Sequence, residues 1–219
     1  MTKKILMILT SQDTMGEDKP TGTWLSEFAD AYLEFKKQGY DVTISSIKGG
    51  KAPVDPGSID ENTPQEILNA ETYLANTVSI DEVEMADHDV IFLPGGHGTM
   101  FDFPNNKKLQ SLLREFYEAD KYVVSVCHGP AGLVGATLSN GEPLVKGKQV
   151  SAFTDAEERD TTFDSLMPFL LESKLTELGA TVVTGPNWSE QSVVDGKLIT
   201  GQNPQSTPMV VKELVKKLS

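Results

Sequence analysis

The hydrophobic positions along the chain fall into short apolar runs that alternate with stretches of helical periodicity. Nearly continuous apolar runs are typical of strands buried on both faces, and they predict strands over residues 4–9, 41–47, 89–93, 122–126, 149–153 and 181–184. Apolar residues spaced three and four apart predict helices over 24–38, 107–119, 129–138, 166–178 and 206–218. The Asp195–Gly196 pair predicts the turn of a hairpin over 192–200.

This alternation predicts an α/β protein with a mostly parallel central sheet and helices on both of its faces. We expect one domain over residues 1–219. A segment rich in proline, glycine and aspartate, at about 49–80 with a predicted helix at 64–74, is interpreted as an insertion that walls or caps a site. Ligands of parallel sheets bind beyond the carboxyl ends of the strands. Cys127, the Gly95–Gly96 pair and the loop after Phe153 follow such ends, so they should converge.

Composition narrows the class of protein. The 219 residues are 38% hydrophobic and 23% charged, as in globular proteins that dissolve in water. One cysteine excludes an internal disulfide, and the apolar run near the N-terminus is too short to span a membrane, so we expect a cytoplasmic location. The net charge of −13 argues against nucleic acids and anionic membranes as partners, because both require a positive surface.

The chain is organised around its only cysteine. A β-branched strand at 122–126 delivers Cys127, and helix-compatible sequence follows at once, which predicts a nucleophile elbow with the cysteine in unfavourable backbone geometry. The small residues Ser125 and Gly129 suit such a turn. A thiol at a helix N-terminus is expected to ionise easily. The alternative is a buried structural cysteine, which is the usual state of a free thiol.

Residues beside these strand ends are candidates for supporting roles. His128 follows the cysteine and can serve as a base, although sequence spacing does not orient its ring. Its backbone N–H is a candidate oxyanion donor, and Gly96 is the second, unless Gly95 and Gly96 form only a tight turn. His97 is interpreted as loop structure. No spacing of ligands resembles a zinc site, and no metal is expected.

Acidic residues complete the candidate set. Glu27 borders the apolar face of the first long helix, where a carboxylate is normally solvated. Turned inward, it would have a raised pKa and could donate a hydrogen bond to the sulfur. After Phe153 come three acids, of which one could hold His128, although a solvated helix start is the simpler explanation. Trp24 and Trp188 are expected in the core or in a pocket wall.

Six segments together resemble the DJ-1/PfpI superfamily, in particular its Hsp31-like, glyoxalase III branch. They are 21–27 (TGTWLSE), 92–98 (FLPGGHG), 102–104 (DFP), 126–131 (VCHGPA), 153–158 (FTDAEE) and 195–204 (DGKLITGQNP). The resemblance covers nearly the whole chain, and the segments run in family order. It implies a three-layer flavodoxin-like sandwich with a nucleophile elbow, and a homodimer.

The resemblance also implies roles for individual residues. Cys127 would be the nucleophile, with His128 beside it and Glu27 near the sulfur. The acid that orients the histidine corresponds to Glu158. Glu157 is the alternative, because a shift of the loop by one residue would exchange the two acids. The oxyanion donors fall on Gly96 and His128, next to Gly95. No cofactor is implied.

Three functions are compatible with this set. The leading hypothesis is glutathione-independent conversion of methylglyoxal and related small 2-oxoaldehydes to 2-hydroxyacids, with deglycase-type activity as an extension of the same first step. This would protect the cell against carbonyl stress. The second is a redox-sensing or chaperone stress protein whose Cys127 is oxidised. The third is a cysteine peptidase or amidase, which would use the same nucleophile and oxyanion donors.

Overall fold

The computed structural model describes residues 2–219, which form eleven strands and eight α-helices. The strands are β1 (Lys4–Leu9), β2 (Thr14–Met15), β3 (Lys19–Pro20), β4 (Asp41–Ser46), β5 (Val78–Ser79), β6 (Val90–Leu93), β7 (Tyr122–Val126), β8 (Gln149–Val150), β9 (Thr181–Val182), β10 (Ser192–Asp195) and β11 (Leu198–Gly201). The helices are α1 (Leu25–Lys37), α2 (Gln65–Ala70), α3 (Thr99–Asp102), α4 (Lys107–Glu118), α5 (Ala131–Val134), α6 (Asp155–Thr161), α7 (Leu171–Glu177) and α8 (Thr207–Leu218). Among these helices, none is both long and apolar enough to cross a membrane.

The central sheet has seven strands in the order β10-β11-β7-β6-β1-β4-β5. Neighbouring strands are parallel except for β10, which forms the predicted antiparallel hairpin with β11. Strands β1, β6 and β7 lie side by side in the middle of the sheet. The loops that follow β6 and β7 therefore leave the sheet at the same edge, as expected for a doubly wound fold. The predicted α/β class is confirmed.

Both faces of the sheet are buried at its centre, which explains why β6 is apolar at all four positions and β1 at every position after Lys4. In β1, the side chains of Leu6 and Ile8 join one hydrophobic core, and those of Ile5, Met7 and Leu9 join the other. The first core includes residues of α4, α5 and α7, and the second includes residues of α1, α2 and α8. Two helical layers thus enclose one sheet, giving three layers in all.

The predicted strand at 149–153 differs from the observed structure. Only β8 is regular, and it pairs with β9 in a separate two-stranded sheet. Beyond it, Ser151 N–H donates to the Thr200 hydroxyl at 2.8 Å, and Phe153 N–H donates to the carbonyl of Cys127 at 2.9 Å. These bonds replace a strand ladder. They also draw the chain after β8 across the end of β7 and place Phe153 beside the elbow.

The elbow at the end of β7 forms as predicted, but the helix after it is shorter than predicted. Cys127 has a φ of 61°, a left-handed conformation that is strained for a residue with a side chain. The helix predicted over 129–138 is reduced to the single turn of α5. Gly132 within this turn and Gly135 at its C-terminal end are poor helix formers, which explains its early end.

The predicted insertion at 49–80 packs against the loop that leads into α1. Thr23 N–H donates to the carbonyl of Pro53 at 2.8 Å, and Asp55 N–H donates back to Thr23 at 2.9 Å. The Asp55 carboxylate also accepts a bond from the Thr21 hydroxyl. The segment therefore supports the 21–24 loop from outside. A capping role over a bound substrate stays a prediction.

The tight turn at the elbow generates a prediction about Gly129. A methyl group on its Cα would lie 2.2 Å from the carbonyl oxygen of Leu93 and 2.7 Å from the hydroxyl of Ser125. Because a backbone carbonyl cannot move aside easily, we expect Gly129→Ala to lower the free energy of unfolding by about 1–3 kcal/mol. Urea denaturation measures the change.

Gly185→Ala is the matched control, since its methyl group would lie no closer than 3.3 Å to another heavy atom. Its free energy of unfolding should stay within about 0.5 kcal/mol of the parent protein. Equal stability of the two variants would contradict this description of the turn.

Candidate active site

A cavity of about 490 Å³ opens at the carboxyl edge of the sheet, over the end of β7. Its lining includes Cys127 and His128 together with the aromatic side chains of Trp24, Phe153 and Trp188. The other lining residues are Ser26, Asp30, His97, Thr161, Pro204, Gln205 and Pro208. Over the described residues, none of the lining comes from the 49–80 segment. The expected convergence of strand ends is observed, and it produces a mostly apolar pocket around a thiol.

His128 links the thiol to an acid. Its Nδ1 lies 3.4 Å from the sulfur of Cys127, and its Nε2 lies 2.5 Å from Oε2 of Glu158. Because a carboxylate can only accept, Nε2 carries the proton and Nδ1 presents a lone pair to the thiol. Burial alone would raise the pKa of Glu158, but the two neighbouring imidazoles outweigh it and hold that pKa well below its usual range. The acid is therefore ionised.

The environment of His128 keeps its ring neutral. The side chain is buried, and burial lowers its pKa, with the ring of His97 as the second cause. The charge of Glu158 opposes both effects only in part. A neutral imidazole whose lone pair faces a thiol is a base that can accept the thiol proton.

Glu158, and not Glu157, contacts His128. Glu157 is also fully buried, but its carboxylate accepts bonds from the backbone N–H of Trp188 at 2.9 Å and from the amide of Asn203 at 2.8 Å. It also closes a capping box with Thr154 at the start of α6. The Thr-x-x-Glu spacing of 154–157 is a capping-box signature, so the sequence contained a signal that distinguishes the two acids.

Glu27 lies inside the protein, and the solvated position that its place in the sequence favoured is wrong. Its Oε2 accepts a bond from the N–H of Gly95 at 2.5 Å. Its Oε1 has no hydrogen-bond partner among residues 2–219, and the carboxyl lies close enough to Cys127 for that thiol to influence its pKa. Burial raises the pKa of Glu27 to about 8, against the lowering effect of the Gly95 bond. At neutral pH the carboxyl is protonated and can donate to the sulfur.

The thiol does not ionise easily in the free protein, contrary to the expectation from sequence. Burial raises the pKa of Cys127 well above its ordinary value, and the charge of Glu27 raises it further once that carboxyl ionises above about pH 8. The backbone N–H of His128 opposes the rise. The single turn of α5 begins four residues after the cysteine, too far for its dipole to compensate, because that effect is confined to the first turn.

The three candidate oxyanion donors differ in availability. The N–H of Gly95 is taken by Glu27. Gly96 has a φ of 111°, and a methyl group there would lie 2.1 Å from the carbonyl of Gly22, so only glycine fits. In the part of the chain that the structure describes, no backbone oxygen accepts from the N–H of Gly96 or of His128. Neither donor is therefore taken by a backbone acceptor, and the N–H of His128 also lies close enough to the Cys127 sulfur to lower its pKa.

His97 belongs to the site, although it was interpreted from the sequence only as part of a loop. Its Nε2 lies 2.6 Å from Oε1 of Glu158, and its ring centroid lies 4.2 Å from that of His128. The one signal in the sequence was its position just after the end of β6. Potential metal-ligating atoms of these three residues lie within 4.8 Å of one another. Because Glu158 accepts from both rings, each Nε2 carries a proton and does not present a lone pair to a cation.

Comparison with known proteins places this arrangement in context. A model of the "DJ-1/PfpI family" matches residues 20–217. Glyoxalase 3 of Candida albicans is 31% identical over 236 aligned residues, which cover 97% of each protein. The glutathione-independent glyoxalase HSP31 of Saccharomyces cerevisiae is 32% identical over 93% of each protein. Among solved structures, the Rapid Encystment Protein 24 KDa of Francisella tularensis superposes with a TM-score of 0.95 at 33% identity, covering both chains in full.

The raised pKa of Glu27 generates a prediction about stability. In the unfolded chain this carboxyl ionises near its ordinary value of 4.5, whereas in the folded protein it stays protonated to about pH 8. Unfolding therefore releases a proton between these values, and stability falls as pH rises. Glu27→Gln removes this loss. Between pH 5.5 and 8.5 the variant should gain about 3 kcal/mol in unfolding free energy relative to the parent.

Urea denaturation at both pH values measures this gain. Glu61→Gln, an exposed substitution, is the control and should follow the parent protein at each pH. A difference between Glu27→Gln and the parent that does not change with pH would show that Glu27 is ionised in the folded protein.

Proposed function

Since the chain belongs to the DJ-1/PfpI family, we propose that it is a glutathione-independent glyoxalase that converts methylglyoxal and related 2-oxoaldehydes to 2-hydroxyacids. One observation carries the proposal: a continuous contact series from Glu158 through His128 to the Cys127 sulfur at an apolar cavity. The relatives named as glyoxalases align over more than nine-tenths of the chain and support the same activity.

The first step is addition of the thiol to the aldehyde. Nδ1 of His128 accepts the thiol proton while the sulfur bonds to the aldehyde carbon, so no thiolate is needed beforehand. The aldehyde oxygen then takes this proton from the His128 imidazolium and becomes the hydroxyl of a hemithioacetal. The backbone N–H groups of Gly96 and His128 stabilise the negative charge that develops on that oxygen. Glu158 stabilises the imidazolium that forms.

The second step moves a proton between the two oxidised carbons of the substrate. A base removes the hydrogen from the carbon bonded to sulfur, giving an enediol, and a proton is returned to the neighbouring carbon. His128 and the protonated Glu27 are the two groups that supply this exchange. The product is a thioester, which water hydrolyses to the 2-hydroxyacid and the free thiol. The net reaction adds one water and needs no external oxidant or reductant.

The alternatives receive less support from the site. A redox sensor needs a thiol that ionises readily, whereas burial raises the pKa of Cys127. A peptidase or amidase would use the same sulfur and the same donors. Among the described residues, no contact favours that chemistry over addition to an aldehyde.

Product formation tests the proposal. Purified protein incubated with methylglyoxal in the absence of glutathione should form lactate, and Cys127→Ala should form none above the uncatalysed rate. Glu158→Gln should lower kcat by roughly 10²–10⁴-fold, because the amide no longer fixes the imidazole tautomer or stabilises its charge. Glu61→Gln is the exposed control. Lactate formation that is equal in the parent and in Cys127→Ala would rule out the proposal.

The pH profile tests the two proton-transfer groups separately. His128 must be neutral to accept the thiol proton, and its pKa is lowered, so kcat/KM should stay high to pH values below 6.5. Glu27 must be protonated to donate, so kcat/KM should fall above its pKa of about 8. In Glu27→Gln the fall above pH 8 should disappear while the acid limb stays. A basic limb that persists in this variant would assign it to another group.

A further inference from the structure

The cavity above Cys127 is larger than a three-carbon oxoaldehyde requires. At about 490 Å³ it lies within the range of pockets that enclose drug-sized ligands. Methylglyoxal would occupy only its base, next to the sulfur. The remaining volume is bounded by Phe153, Trp188 and Trp24, and this lining is where a larger substituent on the substrate would lie.

Trp188 is held in an unusual position for a residue of its type. Its φ is 60°, a left-handed conformation that is strained for a bulky side chain, and 41% of its surface is exposed. Strain of this kind persists only where the surroundings enforce it, and it is concentrated at functional sites. The exposed indole of Trp188 is therefore carried on a backbone that its surroundings must hold in place.

Three contacts enforce the position of Trp188. Its backbone N–H donates to the buried carboxylate of Glu157 at 2.9 Å, and its indole N–H donates to Asp160 at 3.2 Å. Its ring packs edge-on against Phe153, with the centroids 5.6 Å apart. No lysine, arginine or histidine bonds to Glu157 over residues 2–219, so this buried acid serves polar groups, among them the N–H of Trp188 and the amide of Asn203.

Phe153 connects this tryptophan to the reacting groups. Its ring centroid lies 4.2 Å from that of His128 and 5.6 Å from that of Trp188. An aromatic wall therefore runs from the imidazole at the base of the cavity to its rim. A flat ring attached to the ketone carbon of a substrate could pack on this wall while the aldehyde carbon meets the sulfur.

We propose that Phe153 and Trp188 form an aryl-binding subsite, so that the preferred substrates are 2-oxoaldehydes whose ketone carbon carries an aromatic ring. Trp188 is the specificity-determining residue of this subsite, and Glu157 positions it. This proposal rests on the proposed function and extends it from the reacting carbons to the group they carry. It also assigns different roles to two adjacent acids: Glu158 orients His128, and Glu157 positions Trp188 in the aromatic wall.

Kinetics with two substrates test the subsite. Phenylglyoxal and methylglyoxal share the reacting carbons and differ in the ring, so the ratio of their kcat/KM values isolates the contribution of the wall. The ratio should favour phenylglyoxal in the parent protein. Trp188→Ala should lower it about tenfold, mainly through the KM of phenylglyoxal, whereas Trp188→Phe should keep it within about threefold. Tyr73→Ala, at an exposed aromatic residue outside the cavity, is the control.

A second variant tests the positioning role of Glu157. Glu157→Gln should lower the ratio in the same direction by raising the KM of phenylglyoxal, while kcat for both substrates changes by a common factor. A purely structural defect would lower kcat/KM for both substrates alike and would leave the ratio where it was. That result would overturn the role given to Glu157.

Failure of the subsite and failure of the proposed function give different results. Methylglyoxal turnover without a preference for phenylglyoxal, or equal losses for both substrates in Trp188→Ala, overturns the subsite alone. Turnover of neither substrate overturns the glyoxalase proposal. In that case, binding of mandelate and lactate by calorimetry decides the subsite: tighter binding of mandelate that is lost in Trp188→Ala supports it, and equal binding of the two acids overturns it.

Discussion

The site depends on one buried carboxylate shared by two imidazoles. Glu158 has almost no contact with water, and its charge is tolerated because His128 and His97 each donate to one of its oxygens. A buried charge without such partners would be neutralised or would destabilise the fold. The same two bonds fix the tautomer of His128 and tie the loop after β6 to α6. The charge of Glu158, the orientation of the His128 ring and the position of the loop after β6 therefore depend on the same two hydrogen bonds. A substitution that changes one of them will change the others.

Around this interaction the protein keeps the Cys127 thiol and the Glu27 carboxyl uncharged at neutral pH. The thiol of Cys127 and the carboxyl of Glu27 both hold their protons because burial disfavours their charged forms. Neutral His128 is the base that can remove the thiol proton. A thiol that ionises only as it reacts is less exposed to oxidation than a permanent thiolate. This property suits an aldehyde-directed nucleophile better than an oxidation sensor.

The sequence predicted the elements correctly where a local pattern of apolar residues determines the structure. The prediction failed where contacts between distant residues determine it. The apolar run of β1 predicted a strand buried on both faces, and its alternate residues do join two separate cores. Residues 151–153 had the same pattern but bond to the Cys127 carbonyl and the Thr200 hydroxyl instead of extending a ladder. The inward position of Glu27 and the place of His97 could not be read from the residues alone, because both depend on which groups the strand ends bring together.

The neighbouring positions of Glu157 and Glu158 also limit how the gene can change. Each acid faces its partner only because α6 begins at a fixed residue, with Thr154 as its cap. Loss or gain of one codon between the cap and these acids would rotate the helix by about 100°. It would exchange or remove both acids at once. Substitutions elsewhere in α6 do not change the direction in which the two acids point. Relatives that retain the site should therefore differ in residue type within α6 but keep the number of residues between the cap and the acids constant.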